Sequence, residues 1–368
     1  MVRKLHKEGL ARQTIWGHQI MESVDRLLEV TDSVTAVTDD KISRIQGITR
    51  RSRMLALNAA IEAHRFGSEG RGFAVVADEM KEISAEIAAL ASALQNELKE
   101  RLRSMGQYAE DMLGEVRNVR GERVVDLAHN AIEIADRNLY ERSCDVRWWA
   151  TDAAVVDCAA NSASTAVREH ASARLSVILD SYTVYLDLWI ADTNGQVIAT
   201  GRPDRYRRAQ GLDVSRQQWF RDAMATKDGG CFAVADIDVE PALDGAMVAT
   251  YSTAIRQGGK VDGAVIGVLG VFFDWEAQAR AIVDGVRLTP EERTRTRCLL
   301  VDSRHRIIAA SDGQGVLTNS FMLKTGNGPQ GYYDADGAVV GYAKTPGYET
   351  YRGLGWYGVI VQRDLPPH

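Results

Sequence analysis

The sequence of 368 residues predicts an α+β multidomain chain. An N-terminal antiparallel helical hairpin, completed to a four-helix coiled-coil bundle in a dimer, precedes a long helix and two antiparallel-sheet lobes. Three observations predict this. All seven prolines lie at or after Pro203, and the stretch before it is rich in Ala, Glu and Arg, the composition of long helices. Val76, Met80, Ile83, Ile87, Leu90 and Leu94 follow alternating steps of four and three, a heptad pattern. Beyond about residue 185, Trp, Tyr, Phe, Gly and Pro rise, and short β-rich runs alternate with turns such as "DTNGQ" (Asp192–Gln196).

The elements follow in order. Val24, Leu27, Val30, Val34, Val37, Ile42, Ile45 and Ile48 carry the spacing less regularly. Leu98 and Leu102 break phase by a stutter, and Met105, Met112, Val116 and Val119 resume it. Gly67, Glu69 and Gly70 lie between the two patterns, and the glycines permit the positive φ of a reversal. Each arm has roughly 50–60 residues, about 80 Å of helix. Neither arm buries its apolar stripe alone, so the arms fold back on each other and dimerisation completes the bundle. This places a hairpin over 1–137 with its tip at 67–70, and a joint over 138–153 containing Trp148 and Trp149. A long helix with a first lobe spans 154–285, and a second lobe 286–368. "SRQQWFRDAMA" reads as a short helix, and "AMVATYSTAIRQ" and "AVIGVLGVFFDW" as strands. "RCLLVDSRHRIIAAS" (Arg297–Ser311) echoes "DLWIADTNGQVIATG", so the second lobe repeats the plan of the first.

Composition excludes several classes. A net charge of −6 and a pI near 5.7 give no reason to expect nucleic acid or an anionic membrane as partner. No apolar run approaches the roughly 18–20 residues of a membrane span. Met1–Leu10 is polar and basic, without the apolar core of a signal peptide, so a cytoplasmic location is expected. Cys144, Cys158, Cys231 and Cys298 form no CxxC pair, so neither disulfide nor metal site is expected. No GxSxG, HExxH or P-loop motif occurs, and "GRGFA" follows a helix rather than a strand. The chain reads as a non-enzyme that needs no cofactor.

"MLALNAAIEAHRFGSEGRGFAVVADEMKEIS" (Met54–Ser84) resembles the signalling tip of methyl-accepting chemotaxis proteins nearly position for position. The resemblance covers residues about 20–120. It implies an antiparallel hairpin that binds a chemotaxis histidine kinase (CheA) and a coupling protein (CheW) as a homodimer. Met54, Asn58 and Val75 match positions of kinase and coupling-protein contact, and Glu62 and Arg65 match positions used between dimers. Ala59, Ala60, Ala63 and Ala74 are small and let helices approach closely. Arg50, with Arg51 and Arg53 beside it, stands where many of these receptors place an aromatic at a trimer axis. Like charges meeting there repel, which weighs against the usual trimer. No segment of the arms copies the family's methylated glutamate pairs.

The order of long helix, hairpin, W-F helix, three strands and repeat over about 154–365 resembles a double Cache domain, a PAS-like ligand sensor. That implies a small-molecule ligand in the first lobe. In the amino-acid-binding subgroup the matching positions here are Gln217, Trp219 and Phe220, then Asp236, then Phe272. The aromatic wall is kept, and the groups that grip an amino acid are not. Arg216 is a shifted substitute, and Asp236, Asp238 or Asp274 beside Trp219 would suit a cation or amine. The chain thus reads as a transducer in which sensor controls tip. Two alternatives stand beside it: a cytosolic ligand-binding dimer whose hairpin only dimerises, and a haem or flavin PAS-type redox sensor.

Overall fold

The computed structural model describes residues 2–326 and 328–364; Met1, Asn327 and residues 365–368, the end of the expected second lobe, lie outside it. The chain divides into two compact units, one ending at Val119 and the other beginning at Arg120.

In the first unit, helix α1 (Val2–Arg65) and helix α2 (Arg71–Trp149) are joined by a single 3₁₀ turn at Gly67–Gly70. Buried positions recur every seven residues and mirror one another about the turn: Ala63 and Gly70, Ala56 and Ala77, Thr49 and Ser84, Ile42 and Ala91. Farther out, Asp39 receives hydrogen bonds from Gln95 at 2.8 Å and Lys99 at 3.1 Å. Most of the facing residues are small or polar. The large heptad residues that sequence points to lie elsewhere: Val76, Ile83 and Leu90 remain 64%, 49% and 63% exposed. The arms therefore pair through small residues, and the apolar stripes face away from that seam.

The second unit opens with the last stretch of α2. Val124, Ala128, Ile132, Ala135, Leu139, Val146 and Trp149 are buried on one face. This helix lies on strands that carry glycine where it passes. A Cβ on Gly341 would sit 2.6 Å from the Val124 carbonyl carbon. Polar ties fix the docking: Arg123 makes a two-pronged bond to Glu292 at 3.0 Å, and Asp136 accepts from the Gly347 amide at 2.8 Å.

The sequence reads one helix over 154–183. The structure has two, α3 (Ala153–Ala160) and α4 (Thr165–Ser181). Asn161, Ser162 and Ser164 sit at the break, where short polar side chains compete for backbone groups, and the Asn161 amide donates to the Asp157 carbonyl at 3.3 Å.

Lobe 1 comprises β1 (Tyr185–Asp192), β2 (Val197–Thr200), α5 (Gln218–Met224), β3 (Ala233–Val234), β4 (Asp238–Glu240), β5 (Ala246–Arg256) and β6 (Val265–Asp274). Then come α6 (Trp275–Asp284) and α7 (Pro290–Arg295), the latter opened by a capping box between Thr289 and Glu292. Lobe 2 comprises β7 (Thr296–Val301), β8 (Ile307–Ala310), β9 (Gln330–Ala335), β10 (Ala338–Lys344) and β11 (Tyr357–Arg363). Both sheets are antiparallel, with orders β2-β1-β6-β5-β3 (β4 also on β5) and β8-β7-β11-β10-β9. In each, the first and last strands meet at the centre, the plan of a PAS-like lobe. The echo between the two sequence segments is thus a structural repeat.

Candidate functional site

At the hairpin tip, Gly67 has φ of +58°, as a reversal requires. Gly70 does not adopt a positive φ. Its role is close approach, because a Cβ there would overlap the Ala63 carbonyl oxygen and lie 2.9 Å from its carbon. Glu69 is exposed within the turn, and Arg65 pairs with Glu62 at 3.4 Å on the surface. Met54, Asn58, Glu62, Arg65 and Val75 are all exposed.

The tip also carries two aromatics that motif reading passes over, Phe66 and Phe73, 66% and 75% exposed. With Ala59, Glu62, Ala63, Glu69 and Gly70 they line a cleft of about 470 Å³. Phe66 directly precedes the turn, and an aromatic beside a glycine turn with nothing to cover it is the signal that was available.

The candidate ligand residues of lobe 1 fall into two groups. Trp219, Phe220 and Phe272 come together with Trp189 in a buried cluster, the Trp189 and Phe272 rings 4.0 Å apart. Gly270 is matched to this packing, since a Cβ there would meet the Trp219 ring at 3.0 Å. The polar candidates are engaged elsewhere. Asp236 pairs with Arg304 at 3.0 Å and accepts from the Trp356 indole at 3.4 Å, so it ties lobe 1 to lobe 2. Arg306 reinforces that tie by donating to the Ile237 carbonyl at 2.7 Å. Asp274 caps α6 through the Ala277 amide at 3.3 Å. Asp238 accepts from the Val239 amide at 2.8 Å, and Arg216 is exposed. Gln217 accepts from the Trp219 indole and opens α5.

Asp187, which sequence does not single out, is a fully buried carboxylate of this lobe. Its carboxylate accepts from the Leu188, Gly201 and Arg202 amides at 2.8–3.0 Å and from the Trp189 indole at 2.9 Å. These bonds favour the ionised form, yet burial outweighs them and pushes its pKa up to about 6.

Residues 6–176 match the family model described as the methyl-accepting chemotaxis protein (MCP) signalling domain. The match takes in both arms of the hairpin and runs on into α4. Among relatives, McpA of Pseudomonas putida is 34% identical over 148 residues, covering 37% of this chain and 22% of that protein. The aerotaxis receptor of Escherichia coli is 28% identical over 127 residues, covering 32% of this chain and 24% of that protein. The chain thus spans about a quarter or less of the length of these relatives. Among solved structures, the sensor domain of the V. cholerae histidine kinase DctB aligns with a TM-score of 0.46 at 12% identity, over 62% of this chain and 92% of that one. Among the described residues, no helix is long and apolar enough to cross a membrane.

Proposed function

We propose that the chain is a receptor-type signal transducer acting in the cytoplasm, in which the two PAS-like lobes sense a small molecule and the hairpin tip controls a chemotaxis-type histidine kinase through a coupling protein. One observation supports the reading: the stretch that matches the MCP signalling domain includes α2 (Arg71–Trp149), whose last residues, from Val124 to Trp149, pack on the lobes. The exposed stripe of Val76, Met80, Ile83, Ile87 and Leu90 supports a homodimer, since a second hairpin would cover it. Met54, Asn58, Glu62, Arg65 and Val75 are the contact residues assigned to the kinase and coupling protein. In this reading the hairpin, up to Val119, is the output and the unit that begins at Arg120 is the input.

The test is reconstitution of the full chain with a chemotaxis kinase and its coupling protein. Ternary assembly at micromolar concentration and a changed autophosphorylation rate are expected. Glu62→Ala should weaken both while leaving the dimer intact. A chain that dimerises but neither captures the kinase nor alters its rate would instead assign the hairpin to dimerisation alone.

A further inference from the structure

We infer that the sensor carries an anion-binding cleft on the outer cap of lobe 1, formed by Arg205, Arg207 and Arg208, and that it takes a small polyanion bearing phosphate or carboxylate groups. The cleft has a volume of about 630 Å³, within the size range of small-molecule sites. One wall is the loop after β2, residues Asp204–Arg208; the other is the segment Pro241–Gly245 before β5. Beneath them the Trp189, Trp219 and Phe272 cluster fills the interior of the lobe with its own side chains, each at most 5% exposed. The open volume lies outside that cluster, on the cap.

Both walls are held in place. The first is anchored at its root, where the Gly201 and Arg202 amides bind the buried Asp187 carboxylate and the Arg202 guanidinium donates to the Leu179 carbonyl at 3.1 Å. Its far end is tied to β2 by the Gly211 amide and the Gln210 side chain. Tyr206 points inward as a buried floor, and the Arg205 guanidinium lies 4.9 Å from the centre of its ring. In the second wall, the Glu240 carboxylate accepts from the Ala242 amide at 3.0 Å, and Asp244 turns the chain with φ of +58°.

The charges on these walls are unspent. Arg205, Arg207 and Arg208 are exposed, and none makes an ion pair with a carboxylate among the described residues. Some arginines elsewhere in the unit are paired with carboxylates, among them Arg123, Arg174, Arg297 and Arg306. Asp204 and Asp244 also line the cleft, but three guanidinium groups outnumber two carboxylates. A polyanion therefore seats its negative groups against the arginine wall, where planar guanidinium forks match carboxylate and phosphate oxygens. This cleft is separate from the residues the sequence offers for a cation or amine, Asp236, Asp238, Asp274 and Trp219, and three arginines against two aspartates leave it net positive.

The inference rests on the reading of the lobes as the sensing part, and its test measures binding directly, without the kinase. Pyrophosphate and citrate serve as probes of the full chain by calorimetry at low salt, the first testing phosphate and the second carboxylate chemistry. At least one should bind at micromolar to millimolar concentration, more weakly as salt is raised. Arg207→Ala/Arg208→Ala should weaken it about tenfold or more per arginine, at 1.5–3 kcal/mol for a charge-assisted bond. Arg221→Ala, at an exposed position of α5, should leave it unchanged. Absence of binding by both probes, equal binding in wild type and double variant, or spermidine binding in place of the anions would each overturn the proposal. If binding holds and kinase control does not, the cleft stands and the output reading falls.

Discussion

Two glycines of the tip lie two residues apart and should respond to alanine in opposite directions. Gly70 is buried, and an added Cβ meets the Ala63 carbonyl group, with its carbon at 2.9 Å. The obstacle is backbone, so the arms must separate by a few tenths of an ångström or more along the seam. Overpacking of this kind costs about 1–3 kcal/mol. Gly72 is exposed in the first turn of α2 with nothing within 4 Å of a Cβ. Alanine there should stabilise the helix by about 0.5–1 kcal/mol. The two variants should therefore differ by about 2 kcal/mol or more, roughly 30-fold in the local opening equilibrium. Amide hydrogen exchange on peptides covering 56–63 and 77–84 reads this opening directly, without melting the second unit. Faster exchange in Gly70→Ala and slower exchange in Gly72→Ala are expected. Equal protection in the two variants would refute the close-packed seam.

Three further outcomes follow from the second unit. Asp187 is an acid whose folded value of about 6 exceeds its ordinary 3.8. Between those values the folded protein holds a proton that the unfolded chain has released. Its contribution is fully present below about pH 4 and is lost as pH rises through about 6, about 3 kcal/mol in all. Asp136, Asp145 and Glu240 are raised by burial too and push the same way. Melting temperature against pH should show this decline, and Asp187→Asn should flatten it. Trp149→Ala should cost about 3–5 kcal/mol and Trp148→Ala almost nothing in thermal unfolding, because the first is 3% exposed and packed on Tyr182 and Tyr185 while the second is 67% exposed. Glu292→Ala should cost about 3 kcal/mol in the same assay, since it strands Arg123 and removes the reciprocal cap of α7.

The legibility of these features in sequence tracks side-chain size and polarity. Proline-free length, the Gly67 turn and the repeated strand–turn–strand segments are local signals, and each became an element in place. The seam between the arms was not legible as such. Hydropathy at heptad spacing draws attention to Val76, Ile83 and Leu90, whereas the residues that face across the hairpin are Ala56, Ala63, Gly70, Ala77 and Ser84, which barely register on any apolar scale. The break at Asn161–Ser164 was written in four short residues that a count of apolar positions over thirty smooths away. Trp219, Phe220 and Phe272 come together because aromatics at strand and helix positions of one lobe pack together. The partners of Asp236 were out of reach: Arg304 lies 68 positions away and Trp356 lies 120. Only the way the two lobes meet brings them to that carboxylate.

The small-residue seam has a consequence for how the hairpin depends on its own abundance. Alanine, glycine and serine bring two helices close but remove little apolar surface from water, at about 25 cal/mol per Å². Most of the oily surface of each arm is still wet when one hairpin stands alone. Its order is then a mass-action quantity: dilute chains should fray first along the arms, and crowded ones should stiffen as copies cover each other's stripes. On the proposed homodimer, ordering of the arms would follow local copy number whether or not a ligand is bound.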